Sequence, residues 1–331
     1  MRNATVKDVA KRAGVSAMTV SRVLNGTGHV SDATREKVRQ AAQELQYFGN
    51  SVARSLRMNS THTLGVVLSD SSEMVTSKVL RGIQDEAAEH GYTLITANTD
   101  RHAGAEQRAI ETLLSKQIDG IILVAPLLYS SGEIQWLKKL SMPFVMLMRS
   151  SEDGTVDTVM NDNLHGGYLQ VQHLISRGCR RFFFLTIEDS LSARIRMDGA
   201  RKALLDNGIR QDAVQVVEIK HDLASGYEKT KEYLDRIRGC DALVCGCDTI
   251  AIGAMRALHE AGVAIPDEIR VMGYDGIDIG NYLAVPLSTV AQPFYEIGTE
   301  GARMLLMRLN DPEQPAVHRV FEGTLEVRSS T

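Results

Sequence analysis

Ten lysines and arginines fall within the first 60 residues (Arg2, Lys7, Lys11, Arg12, Arg22, Arg35, Lys37, Arg39, Arg54 and Arg57), against four acids, Asp8, Asp32, Glu36 and Glu44. That segment carries +6, and because the chain as a whole carries −4 the remainder carries −10. A basic module joined to an acidic one suits a polyanion at one end and repels it from the other. Catalytic constellations are harder to find. There is no G-x-x-x-x-G-K-[ST], no G-x-G-x-x-G after a strand, no H-E-x-x-H and no G-x-S-x-G. Cys179, Cys240, Cys245 and Cys247 form no C-x-x-C pair and the nine histidines are scattered, so the thiols read as reduced core residues and no metal or cofactor is expected.

The elements that must carry the basic residues are short. Thr5 followed by Asp8 is a capping-box signature, and Val6, Val9 and Ala10 recur at helical spacing until Ala13-Gly14 ends the run. Ser16 can cap a second helix with a stripe of Val20, Val23 and Leu24, ended by Asn25-Gly26. A third begins at Ser31 and carries Val38, Ala41, Ala42 and Leu45. Three short helices with a tight turn between the first two predict a helix-turn-helix. Asn50 can then cap two turns ending near Arg57, too short to be stable alone in water.

From Thr63 the pattern changes. Apolar runs at 64–68, 92–96 and 120–124 alternate with helical patterns at 77–90 and 102–116. The rhythm continues through Phe182-Phe183-Phe184-Leu185, a helix near 192–207, Leu243-Val244-Cys245, a helix near 249–261, and 270–274. Such alternation predicts parallel sheets with helices on both faces, and some ten strands in about 270 residues predict two sheets. The 331 residues, 44% apolar and 24% charged, suit several folded domains. The N-terminus has no secretory h-region and no run approaches ~20 apolar residues, so a cytoplasmic protein that spans no membrane is expected.

These residues resemble the LacI/GalR family of bacterial transcription regulators. The resemblance rests on Val6-Lys7-Asp8-Val9-Ala10, Ala13-Gly14-Val15-Ser16, Thr19 through Asn25, Val52 through Leu56, Asp162-Asn163 with Gly166-Gly167, Arg194 and Arg196 before Gly199, Gly273-Tyr274-Asp275, and Leu325 through Thr331. It implies a helix-turn-helix head over 1–48, a hinge helix and linker over 49–61, and a periplasmic-binding-protein-like core over 62–331. The core would comprise subdomain N (about 62–161 and 292–321) and subdomain C (about 162–291 and 322–331). It also implies a homodimer on a pseudo-palindromic operator. Because the sequence given stops at Thr331 without the extra helix of tetrameric members, a dimer is expected.

The resemblance implies that Ala17, Met18 and Arg22 read bases, Arg22 by a bidentate pair to guanine O6 and N7 and the other two by apolar contact to thymine methyls. Thr5, Ser16, Thr19, Ser21, Asn25 and Ser31 would meet phosphates, which set register without reading sequence. Asn50, Ala53, Arg54 and Leu56 fall in the hinge, where Leu56 would wedge into the minor groove. Gly49 stands where the family usually has proline. Glycine enlarges the unfolded ensemble, so ordering this hinge costs about 0.4–1 kcal/mol more per subunit.

For a small-molecule effector the implied positions are Ser69, Ser72, Arg149, Asn161, Arg196, Asp275 and Gln292, with Arg194, His221 and Asp248 close by. Met148 and Cys247 replace two hydroxyl-binding residues of sugar-binding members, and His221 replaces an aromatic that stacks on a ring. Retained arginines and lost acceptors predict a pocket shifted toward positive charge, hence a sugar acid or sugar phosphate. The expected function is a ligand-responsive repressor of a carbohydrate or sugar-acid operon, not an enzyme. Two alternatives stay open: a regulator governed by a protein partner, and a solute-binding protein for transport, which the basic head and missing signal oppose.

Overall fold

The computed structural model describes residues 4–24, 28–47, 60–127 and 130–331. They form two compact units that divide at Thr61 and His62.

In the first unit, α1 (Val6–Ala13), α2 (Ala17–Leu24) and α3 (Asp32–Glu44) enclose a core of Val9, Ala10, Val20, Val23, Val38, Ala41 and Ala42. Each helix starts where the sequence places a cap. The Thr5 hydroxyl accepts the Asp8 amide while the Asp8 carboxylate accepts the Thr5 amide, the reciprocal pair of a capping box. Ser16 Oγ accepts the Thr19 amide, and Ser31 Oγ that of Thr34. Gly14 closes α1 at φ +68°, a left-handed conformation that glycine adopts without penalty.

The second unit holds two six-stranded sheets. The first contains β1 (Thr63–Leu68), β2 (Thr93–Asn98), β3 (Gly120–Val124), β4 (Phe144–Leu147), β5 (Asp157–Asn161) and β11 (His318–Phe321), in the order β11-β5-β4-β3-β1-β2, all parallel. The second contains β6 (Phe182–Ile187), β7 (Val214–Ile219), β8 (Ala242–Cys245), β9 (Arg270–Asp275), β10 (Ser288–Ala291) and β12 (Thr324–Glu326), in the order β12-β10-β9-β8-β6-β7. Only β12 runs antiparallel, against β10, a departure from the all-parallel expectation. β12 follows β11 after only Glu322 and Gly323, so the chain passes straight from the end of the first sheet into the second with no crossover helix to bring it in parallel.

Both sheets are covered on both faces. Along β3, Ile122 and Val124 pack under α4 (Met74–Glu89), while Ile121 and Leu123 pack under α5 (Ala103–Ser115) and α6 (Ser131–Lys139). Along β6, Phe182 and Phe184 meet α7 (Asn163–Ser176) and α8 (Leu191–Asp206). Phe183 and Leu185 pack on the opposite face, with residues of α10 (Leu234–Arg238) and α11 (Asp248–Glu260). Between β7 and α10 lies α9 (Leu223–Glu232), and α12 (Phe294–Asn310) buries Phe294, Ile297 and Leu305 in the first sheet's core. The chain leaves the first sheet after Asn161, returns after Ala291 and leaves again after Phe321. The carboxyl ends of both sets of strands thus meet at one crevice, where open α/β sheets bind ligands.

Candidate nucleic-acid interface and effector cleft

On the first unit, the amphipathic pattern that buries Val20 and Val23 turns the rest of α2 outward. Ala17, Met18 and Arg22 are exposed, Met18 at 65%. Met18 thus adds apolar surface to the outward face that carries the Arg22 guanidinium. The Arg22 stem runs past Gly28, whose φ is +74° and where a Cβ would lie 3.5 Å from Arg22 Cδ. Thr19 and Ser21 are partly buried, and Thr5, Ser16 and Ser31 stand exposed at the helix starts. Their hydroxyls already serve the caps, so any phosphate they meet would be held chiefly by free backbone amides of the first turns. Asn25, Asn50, Ala53, Arg54 and Leu56, with Gly49, lie outside the described residues.

On the second unit, a cavity of about 720 Å³ lies between the two sheets and adjoins an inner one of about 120 Å³. The inner space is lined by Ser69, Arg149, Asn161, Arg196, His221, Asp275 and Phe294, and Ser72 lines the outer one. Six of the ten expected effector residues therefore face the inner space, and a seventh is at its mouth.

The Gly166-Gly167 motif explains how Arg196 gets there. A Cβ on Gly166 would lie 2.0 Å from the Tyr274 hydroxyl, and one on Gly167 would lie 1.9 Å from the Arg196 carbonyl, so α7 can approach α8 and β9 only with glycine at both positions. Arg196, buried over the Tyr274 ring, donates from Nε to Asn163 Oδ1 (2.8 Å) and from Nη1 to the Gly246 carbonyl (2.7 Å). Its Nη1 lies 3.9 Å from Asp275 Oδ1. Asp275 ends β9 with φ +115°, a conformation rare outside glycine that marks a constrained site. Burial raises its carboxyl's pKa, opposed by the Arg196 and His221 charges and the Gln292 hydrogen bond.

Three expected residues stand elsewhere. Asp248 is fully buried and does not line the cavity; it accepts the Gly276 amide (2.8 Å), the Ile277 amide (2.9 Å) and the Thr289 hydroxyl (2.7 Å), and so holds the turn that follows Asp275. Burial, with the nearby Asp275 charge, pushes it up to about 7. Gln292 is also behind the wall, donating to Asp275 Oδ1 at 2.5 Å. Arg194 falls on the exposed face of α8, two residues from Arg196 and so about 200° away around the helix, and lines neither space.

The expected positive charge is not what the cleft holds. Arg101, Arg149, Arg196 and Lys220 face Asp70, Glu73, Glu188, Asp189, Asp222 and Asp275. Arg101 is ion-paired to Glu73, and burial lowers the pKa of His221, favouring the neutral ring. Sequence reasoning missed Glu73 and Arg101, which cross the mouth to His221: Glu73 Oε1 is 3.1 Å and Arg101 Nη2 is 2.9 Å from His221 Nδ1. A second bridge runs from Lys78 Nζ to Asp278 Oδ1 at 2.8 Å. Neither Glu73 nor Arg101 belongs to a motif; the available signal was that each follows a strand's carboxyl end by a few residues.

Residues 5–50 match the bacterial regulatory proteins of the lacI family, and residues 61–322 match the periplasmic binding proteins and sugar binding domain of the LacI family. The Escherichia coli K12 ribose operon repressor is 33% identical over 310 residues, 93% of this chain and 94% of that one. The crystal structure of the lac repressor dimer bound to operator and the anti-inducer ONPF superimposes with a TM-score of 0.88 at 29% identity, covering 100% and 99% of the two chains. A LacI family regulator from Enterococcus faecium with bound ribose gives 0.74 at 30% identity, covering 81% and 98%. Among the described residues no helix is long and apolar enough to cross a membrane. With a three-helix head and a two-sheet core that match the family over residues 5–50 and 61–322, and a relative 33% identical over 93% of its length, the chain belongs to the LacI family of DNA-binding transcription regulators.

Proposed function

We propose that this regulator represses a carbohydrate operon and releases or holds its operator according to a neutral, pentose-sized sugar in the inner cleft. The observation that carries the reading is the set of complementary groups facing one small space. Arg196 can donate, Asp275 can accept, and the Asn161 side-chain oxygen is buried without a partner. A buried orphan acceptor costs about 1–3 kcal/mol unless something donates to it, and a sugar hydroxyl would. A space near 120 Å³ suits a single ring, and Phe294 offers it an apolar face. The excess of acids over cations in the lining, six to four, disfavours a sugar acid or phosphate, and the ribose of the Enterococcus relative fits the same chemistry.

The working division is a head over 1–48, a hinge over 49–61 and a two-part core over 62–331, acting in the cytoplasm as a homodimer on a pseudo-palindromic operator. Ligand-dependent change at the cleft is coupled to the hinge through the three crossings between sheets, so one bistable element serves both sites. The test is a thermal-shift screen of neutral pentoses and hexoses against their acids and phosphates, repeated on Arg196→Ala, followed by operator binding with each hit. Stabilisation by ribose or another neutral ring, lost in Arg196→Ala and accompanied by changed operator affinity, is expected. Stabilisation by phosphates or acids alone overturns the ligand class.

A further inference from the structure

At the floor of the cleft, His221 and Asp275 face the space and Cys247 lies buried just behind them, three donors of different chemistry. His221 follows β7, Cys247 follows β8 and Asp275 ends β9, and one ligand atom from each lies within 4.8 Å of the others. All three are carried by one sheet, so their spacing does not depend on how far the cleft is open. We propose that Cys247, His221 and Asp275 form a binding site for a borderline-soft divalent cation of the zinc class, with its fourth position open to the cleft.

The donor set decides the class. A thiolate, an imidazole and a carboxylate together are the ligands of zinc, and three protein ligands with one open position is the arrangement of a site that also meets a small molecule. Around a tetrahedral ion such donors stand roughly 3.3–3.6 Å apart, which follows from metal–ligand distances of 2.0–2.3 Å. Closing from 4.8 Å takes side-chain rotations of about an ångström, which His221 at the cleft mouth can supply.

The surroundings supply what such a site needs. In the structure His221 Nδ1 accepts from Arg101 Nη2 at 2.9 Å, with Glu73 Oε1 3.1 Å away. When an ion takes the Nε2 lone pair the ring proton moves to Nδ1, the bond from Arg101 to the ring is given up, and the ring donates to Glu73, the carboxylate–histidine–metal relay. Arg101 then stays on the Glu73 carboxylate that it already contacts. Cys247 is the N-cap of α11; burial and the neighbouring Asp275 and Asp248 charges hold its thiol's pKa high, opposed by the Ile250 amide and Arg196, and a bound cation would tip it to the thiolate. Its proton leaves to solvent as the ion binds, which makes affinity rise with pH. The charge near the ion is set by Arg196 and Arg101 against Asp275, Glu73 and the Cys247 thiolate, with Asp222 and Glu188 also in the lining. The ion would share Asp275 with the sugar of the reading above, so a loaded site and a bound sugar compete.

The assay reads the ion directly, with no sugar or operator present, so its failure leaves the effector reading intact. Titrating the reduced full-length chain with Co²⁺ should give a thiolate-to-cobalt charge-transfer band and tetrahedral visible bands, both reversed by Zn²⁺. Cys247→Ser should abolish the charge-transfer band. Glu73→Gln, on the partly exposed rim, should keep the band and weaken the ion about 10–100-fold. Absence of the band, its persistence in Cys247→Ser, or unchanged affinity in Glu73→Gln overturns the proposal.

Discussion

Arg196 sits over the ring of Tyr274, its guanidinium carbon 3.9 Å from the ring centroid, while two of its nitrogens are committed to Asn163 and Gly246. The stack and the two hydrogen bonds fix the plane of the fork before any ligand arrives. Such preorganisation reduces the ordering cost of binding. Lysine keeps the charge but has neither the plane nor the fork. Arg196→Lys should therefore weaken ribose about 10–100-fold, the equivalent of one or two charged hydrogen bonds, with operator affinity in the absence of sugar within about threefold of wild type. Calorimetry with ribose and anisotropy with operator read the two quantities. Unchanged ribose affinity would remove Arg196 from the site.

The close crossing of α7 and α8 makes a separate claim. A methyl at Gly167 would meet the Arg196 carbonyl at 1.9 Å, and backbone cannot swing aside as a side-chain tip can. Gly167→Ala should cost about 1–3 kcal/mol of core stability and shift Arg196 off Tyr274, weakening the effector as well. Gly132→Ala, with nothing within 4 Å, should leave stability unchanged or raise it by up to ~1 kcal/mol. Urea midpoints of the two variants decide between close approach and a general intolerance of alanine.

Legibility in the sequence follows the range of the forces involved. The caps at Thr5, Ser16 and Ser31 act over three residues, so local reading finds them. The strands at 64–68, 120–124 and 182–185 are legible because they are buried on both faces and hence continuously apolar. The β7 strand, an edge, shows mixed burial, and β10 to β12 are three or four residues long, so neither offers a periodicity to read. At the cleft, Asp275 and Arg196 were reached through their family motifs. Which neighbour faces the cavity depends on rotation about a helix, and so Arg194 and Arg196 look equivalent in sequence while only one reaches it. Glu73, Arg101 and His221 meet across separations of 28 to 148 positions, which no local pattern encodes.

Arg22 tests the other unit. Its guanidinium leaves an exposed face of α2 without an ion pair that would hold it there among the described residues. If it pairs with a guanine, Arg22→Ala should lose roughly 1–3 kcal/mol, about 5–150-fold, on operator and little on random DNA. The slope of affinity against salt should stay close to wild type, because no phosphate contact is removed. Equal losses on both DNAs, with a shallower salt slope, would instead place Arg22 on phosphate.

Asp248 provides a pH prediction whose sign follows from its burial. Its folded-state pKa is about 7 against an ordinary 3.8, so between those values the folded chain holds a proton that the unfolded chain has released. Stability associated with this group is therefore complete below about pH 3.8 and is lost as pH rises through about 7, by no more than about 4 kcal/mol. Asp275, raised by the same burial, works in the same direction. Asp248→Asn removes the titration but also disturbs three hydrogen bonds to Gly276, Ile277 and Thr289, so the variant should be weaker overall. The informative quantity is the gap between wild type and variant in urea unfolding at pH 4.5, 6 and 7.5. That gap should narrow as pH rises, because wild type alone pays for ionising a buried carboxyl. A gap that is constant or widens would mean that Asp248 is ionised throughout, its three donors outweighing the cost of burial.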